Sequence, residues 1–322
     1  MKRRAILRLV LSTAAWGLSF PAAKAVMQAQ ALLLPDRPEW FHAAFILFNR
    51  MLIATLVMLL LLRSRMRGLT RTELRQGIEL GLFGGLGMLL QTDAQNYIAA
   101  STSAFFTQFT CVFIPLTIAL RSRRAPTGSV VASSLLVMTG CAVLSGVQLG
   151  GISFGRGEWE TIAAAVLFTA QILCLERAEF RGTDSMRTAT VMFAMKGTLL
   201  LPFVLAGCGG IATLAAPYTS PSVLGLSALL AIVCTAYAYS AMTHWQRYVT
   251  STQAGLIYAT EPVFASLWAL FLPGWFSTLA GLHYENEHLH WQLFAGGTLI
   301  LAANLLLLRP TKSTEPTPLP PP

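Results

Sequence analysis

Ten apolar stretches follow one another along this chain, and charged residues fall mainly at their junctions. They lie near 5–27, 41–62, 76–96, 101–120, 128–147, 158–176, 187–206, 222–243, 251–272 and 290–308. Each is about 20 residues long, enough for a helix to cross the roughly 30 Å hydrocarbon core of a bilayer. The runs are continuous and do not alternate with period two, so helices are expected and barrel strands are not. Charged residues make up 11% of the chain and hydrophobic ones 54%, whereas a soluble domain carries about 25% charged residues. The sequence therefore reads as an all-α integral membrane protein with ten transmembrane helices.

The basic residues orient it. Lys2, Arg3, Arg4 and Arg8 precede or open the first stretch, and Arg63, Arg65, Arg67, Arg71 and Arg75 follow the second. Arg121, Arg123, Arg124, Arg177, Arg181, Arg187, Arg247, Arg309 and Lys312 continue on the same side, giving 18 of the 23 Lys and Arg residues. The opposite loops hold only Arg37 and Arg156. The positive-inside rule then places both termini in the cytoplasm, N-in and C-in. The formal charge of +9 reflects these junction clusters and does not point to nucleic acid. The five cysteines stand singly in apolar stretches, as small buried hydrophobes do. The opening KRR and apolar run reads as a retained first helix, because the run spans and ends in no clean cleavage site. Residues 310–322 are Pro-rich and polar and are expected to be a disordered cytoplasmic tail.

The halves resemble each other. QNYIAASTSA at 95–104 matches QRYVTSTQAG at 246–255, so Gln95 and Tyr97 recur as Gln246 and Tyr248. Five helices per half is an odd number, so the second half runs inverted. Residues 1–150 are expected to form the first five-helix repeat and 151–309 the second. Inverted repeats are a mark of secondary transporters, whose sites lie near the midplane.

Three stretches carry a family resemblance: WGLSFPAAKAVM at 16–27, FNRMLIATLVMLL at 48–60 and STQAGLIYATEPVFASLWALFLPG at 251–274. They resemble the EamA-type members of the drug/metabolite transporter superfamily. The ninth stretch departs from that pattern where Pro273, Gly274 and Trp275 replace a closing Gly-Glu and a long loop follows. The resemblance implies a multi-pass carrier of the bacterial inner (plasma) membrane, often an exporter of amino acids or related metabolites.

Ionisable residues within the stretches locate a candidate site. Each costs at least about 2.5–3.5 kcal/mol at membrane depth and persists with a partner, a cavity or a function. Glu261 stands before Pro262, where the missing N–H should bend the helix. It is expected either to couple transport to protons or to form an ion pair with Lys196. Lys24 and Arg50 are placed toward outer helix ends, where they can attract a substrate carboxylate or snorkel to headgroups. Asp93 is expected to make a cap or loop contact. Trp16, Gln91, Gln108, Gln171, Tyr237, Tyr239, Tyr258 and Trp268 are the candidate pocket groups. Tyr258 is read as one turn before Glu261, on its face. The expected substrate contacts are Trp16, Tyr258, Gln108, Gln171 and Arg50; the expected charge set is Glu261, Lys196 and Lys24.

Other classes were weighed against this one. His283, Glu285, Glu287, His288 and His290 stand together at 283–290, but the spacing is not a zinc signature and a hydrated loop accounts for it. No cofactor, metal or catalytic residue set is expected. A membrane-embedded enzyme would need a denser polar set at one depth. A lipid or lipid-linked-sugar flippase on the same fold would need a laterally open groove. The reading that results is an alternating-access exporter of small metabolites such as amino acids, monomeric or homodimeric, in contact with lipid and with protons as the candidate coupling ion.

Overall fold

The structure, a computed structural model, describes residues 1–98, 100–146 and 154–308. The expected junction of the halves near 150 and the tail at 310–322 lie outside the described residues. All regular structure among the described residues is helical. In chain order the helices are α1 (Lys2–Leu33), α2 (Glu39–Leu61), α3 (Arg63–Met66), α4 (Arg71–Ala94), α5 (Ala100–Thr107), α6 (Thr110–Ser122), α7 (Gly128–Ser145) and α8 (Arg156–Cys174). They continue as α9 (Ser185–Cys208), α10 (Ile211–Ala215), α11 (Pro221–Ala231), α12 (Ala238–Trp245), α13 (Ser251–Tyr258), α14 (Glu261–Ala269), α15 (Leu272–Ala280) and α16 (Trp291–Leu308). A π-helical segment, Ile232–Tyr237, joins α11 to α12.

Among the described residues, six helical stretches are long and apolar enough to cross a membrane, and a seventh is added if α13–α14 and α15, bent by 58°, count as one span. Polar residues hold α4 and α8 below that mark: Glu79, Gln91 and Asp93 in the first, Glu158, Glu160 and Gln171 in the second. The outside is apolar as well, with Leu60, Leu120, Leu135 and Leu305 exposed, while Ser12, Thr13, Gln76 and Thr161 are buried. An apolar outside around a partly polar inside suits lipid as solvent.

One expected segment differs from its reading: the long loop expected at 273–289 is helical as far as Ala280. The stretch expected at 101–120 is a span, Thr102–Ser122, with a tight turn at 108–109 between α5 and α6. Pro273 sits in the first turn of α15, where a proline lacks no needed donor and starts a helix.

The breaks recur. Ala100, Thr107 and Thr110, which bound α5 and start α6, each stand 151 residues before Ser251, Tyr258 and Glu261, which bound α13 and start α14. The hydrogen bonds across the two breaks also correspond. Phe109 donates to the Phe106 carbonyl as Thr260 does to Ile257, and Val112 donates to Phe109 as Val263 does to Thr260. These bonds span three residues and tighten the chain to a 3₁₀ turn. Position 111 is a cysteine where 262 is proline, so the break does not depend on the proline. Pro115 frees the Cys111 carbonyl from its helical donor, and the Ser134 hydroxyl of α7 donates to it at 2.8 Å.

Glycines set how closely the helices meet. Gly77, Gly81 and Gly85 make one stripe of α4 at four-residue spacing, against α9. A Cβ on them would lie 2.5 Å from Val191, 2.5 Å from Met195 and 2.9 Å from Leu199. Gly84 and Gly87 face α8, where a Cβ would lie 2.6 Å from Gln171 and 2.7 Å from Phe168. Gly140 of α7 and Gly296 of α16 bring two backbones together, the added Cβ of Gly296 falling 2.5 Å from the Gly140 carbonyl. Small residues replace the hydrophobic drive that lipid removes. The substitution Gly81→Leu is therefore expected to cost about 1–3 kcal/mol by overpacking and to lower the melting temperature in detergent. Gly225→Ala, in a helical position where a Cβ meets nothing within 4 Å, should leave it unchanged or raise it.

Candidate functional site

Arg50 is the twelfth residue of the 23-residue α2 and is 6% exposed. It does not snorkel from an outer helix end, as one sequence reading allowed. Its Nε donates to Thr235 Oγ1 at 2.7 Å and its Nη2 to the Cys234 carbonyl at 3.2 Å. Thr235 in turn donates to the Leu230 carbonyl, five residues back. The π-helical segment explains this fit: widening the turn puts a carbonyl and a hydroxyl where a guanidinium can take them. Arg50 thus ties α2 to the α11–α12 span.

Lys196 of α9 is 1% exposed. Its aliphatic stem lies on Gly85, whose added Cβ would be 3.3 Å from Lys196 Cγ. The ammonium donates to Met88 Sδ at 3.5 Å and stands 4.1 Å above the centre of the Tyr239 ring. The Tyr239 hydroxyl donates to the same sulfur at 3.5 Å. A desolvated cation–π contact gives about 2 kcal/mol, and burying a charge costs several. The ammonium is therefore short of acceptors.

Trp16 completes an aromatic wall. Its ring lies 4.9 Å from Tyr239 and 5.3 Å from Tyr258, and its buried Nε1 has no acceptor. Close approach of α1 and α14 fixes it there, since a Cβ on Gly17 would lie 2.7 Å from the Ala265 nitrogen. The Tyr258 hydroxyl donates to Gln246 Oε1 at 2.9 Å, and Gln246 Nε2 donates to the Ile172 carbonyl at 2.8 Å. Tyr258 therefore offers its ring, with its hydroxyl already committed.

Glu261 opens α14, after the break that separates it from Tyr258. A tight turn at 259–260 lies between them, and 3₁₀ geometry keeps residues three apart on one side. Glu261 forms no ion pair with Lys196: no nitrogen–oxygen approach within 4.0 Å joins them, and the Glu261 carboxylate has no hydrogen bond among the described residues. Lys196, Trp16, Tyr239 and Tyr258 thus form one aromatic centre, and Glu261 follows Tyr258 by three residues.

The remaining expected residues lie apart from this centre or are committed to packing. Lys24 is exposed, 4.9 Å from the centre of the Tyr284 ring, and joins neither Glu261 nor Lys196. Gln108 is buried at the α5–α6 break. Gln171 is clamped between Gly84 and Met192, donating to Met192 Sδ at 3.5 Å. Gln91 donates to Thr107 Oγ1, and Trp268 to the Ala14 carbonyl. Asp93 accepts from Arg156 at 2.6 Å at the start of α8. Among the described residues no three of His, Cys, Asp and Glu converge to hold a metal ion. The sequence reading missed Met88 and Thr235. A methionine and a threonine in apolar runs carry no signal of their own.

A charged rim closes the same end of α4 and α9. Arg65 meets Asp184 at 2.6 Å. Arg187 donates to the Gly68 and Arg65 carbonyls and lies 3.4 Å from Glu73. Arg247 donates to the Thr183 carbonyl at 2.6 Å, and Thr183 donates to Gln76. Burial alone would raise the Asp184 carboxyl, but donors from Arg65 and from the Arg187 and Met186 backbone outweigh it and hold it below its ordinary range. Glu73 is likewise held low: burial opposes, and the Thr70 and Asp184 N–H groups prevail.

Comparison with known proteins follows this geometry. Residues 3–146 match the EamA-like transporter family, part of the drug/metabolite transporter superfamily. A solved crystal structure 17% identical in sequence shares the fold with a TM-score of 0.70, over 96% of this chain and 97% of that one. No curated protein matches in sequence. The match over residues 3–146 and the apolar helices indicate a multi-pass membrane protein.

The rim makes an acid-side prediction. A carboxylate held low in the folded state adds stability above its ordinary value, 3.8 for Asp184, and that stability is lost as pH falls through the lowered value. Melting of the parent in detergent should therefore weaken on the acid side of that value. Asp184→Asn should flatten this limb while keeping the α9 cap, and Asp184→Ala should lose about 0.5–2 kcal/mol more.

Proposed function

We propose that this EamA-like chain is an alternating-access carrier of small zwitterionic metabolites, amino acids with apolar or aromatic side chains foremost. The observation that carries the reading is a buried lysine, Lys196, set over the Tyr239 ring, and a glutamate, Glu261, three residues beyond Tyr258 of the same aromatic cluster, which do not pair with each other. A zwitterion supplies the missing partners. Its carboxylate takes Lys196 and the unaccepted Trp16 N–H, its ammonium takes Glu261, and its side chain lies on Trp16, Tyr239 and Tyr258. Charge-assisted hydrogen bonds in a dry site are the strong ones.

The matching breaks at α5–α6 and α13–α14 support two inverted five-helix repeats, 1–150 and 151–309, and a family match ending at 146 agrees with that boundary. On this reading ten spans cross the bacterial inner membrane with both termini inside. The two halves rock about the centre and export the cargo, with Glu261 taking up and releasing a proton.

Counterflow of radiolabelled amino acids into proteoliposomes tests the reading. Exchange should saturate, and Lys196→Met and Glu261→Gln should each lower it roughly 10- to 100-fold, the value of one charged hydrogen bond, while both variants melt within a few degrees of the parent. Glu261→Gln should also remove the pH dependence of any residual exchange. An absence of exchange for every amino acid would discard this cargo and favour the flippase.

A further inference from the structure

The segment from α3 to the start of α4 carries five arginines with two different fates. Arg65 is held by Asp184 at 2.6 Å and Arg75 by Glu79 at 2.9 Å. Arg63, Arg67 and Arg71 meet no acceptor among the described residues. Arg63 and Arg67 stand four residues apart, one turn along a helical path, and so share a side. With Ser64 they line an open hollow of about 410 Å³ whose remaining wall is Leu60 and Leu61. Those two leucines close the apolar helix α2 and are 79% and 75% exposed.

We propose that this hollow binds the phosphate of an anionic phospholipid, with its acyl chains against Leu60 and Leu61. Leu60 and Leu61 belong in hydrocarbon, and the two free guanidinium groups and the Ser64 hydroxyl follow within two to seven residues. The hollow therefore spans the depth at which acyl chain gives way to phosphate. Two cations and a hydroxyl suit the oxygens of one phosphate, and guanidinium groups grip phosphate with paired donors. Inorganic phosphate would satisfy the arginines and leave both leucines in water. A choline lipid would bring its own cation toward them. An anionic glycerol lipid satisfies both parts. The site is independent of the cargo proposed for the centre, because it shares no residue with it.

Native mass spectrometry of the full-length protein in detergent tests it, with titration by phosphatidylglycerol, by phosphatidylcholine of the same chains, or by sodium phosphate. The parent should bind its first phosphatidylglycerol roughly thirtyfold more tightly than Arg63→Gln/Arg67→Gln, each cation near a lipid surface contributing about fivefold. Arg71→Gln, which removes an unpaired arginine outside the hollow, should bind as the parent does. The charge-keeping Arg63→Lys/Arg67→Lys should stay within about threefold of the parent, which separates lost contact from lost folding. Equal phosphatidylglycerol affinity for the parent and the glutamine variant would overturn the proposal. Phosphatidylcholine binding as tightly as phosphatidylglycerol, or displacement of the lipid by millimolar phosphate, would overturn it as well.

Discussion

The bare face of α4 is the constraint on which the centre depends. Lipid gives two apolar helices no reason to associate, so they must approach closely enough for dispersion to hold them. Gly77, Gly81 and Gly85 provide that approach toward α9, and Gly84 and Gly87 provide it toward α8. One helix thus packs tightly on two sides. The placement of Lys196 follows, because its stem rests on the space where Gly85 has no side chain. Met88, one turn further along α4, then presents its sulfur to both the ammonium and the Tyr239 hydroxyl. A larger side chain at 85 would displace the charge itself.

Departures from the regular α-helix do the remaining positioning. The π-helical segment exposes acceptors for Arg50, and the two 3₁₀ breaks place Glu261 at a helix start. In a membrane such departures leave backbone groups to be satisfied, and they are tolerated where protein supplies partners. Arg50 supplies them at Cys234 and Thr235, and Ser134 does so at Cys111.

This division marks how far the sequence could be read. Trp16, Arg50, Lys196 and Glu261 were legible because a polar or aromatic group stands out in an apolar run. Their partners were not. Pairing Lys196 with Glu261 follows from opposite charge and similar depth, but depth says nothing about which way a helix faces. The bend before Glu261 was legible in Pro262, but the 3₁₀ turn itself has no composition that announces it. Thr235 acts through an extra residue in one turn, a feature without a sequence period. Pro273 read as a stop because proline ends helices more visibly than it starts them. The repeat was legible at Gln95 and Gln246, and the breaks twelve residues later were hidden in ordinary apolar sequence.

The α14 helix has a mechanical consequence beyond its chemistry. Beyond the break at 259–260 it runs from Glu261 to Ala269, about 13 Å at 1.5 Å per residue. Its far end is attached to the segment after α15, since the Glu287 N–H donates to the Ala269 carbonyl at 2.9 Å and Ser277 clasps Tyr284. The break and the clasp make α14 a lever with a short fulcrum and a loaded tip. A rotation of about 15° at the fulcrum carries the tip through roughly 3 Å, the width of a water molecule. A small change of backbone angle at 259–260 would therefore appear at Ala269 as a displacement of about 3 Å.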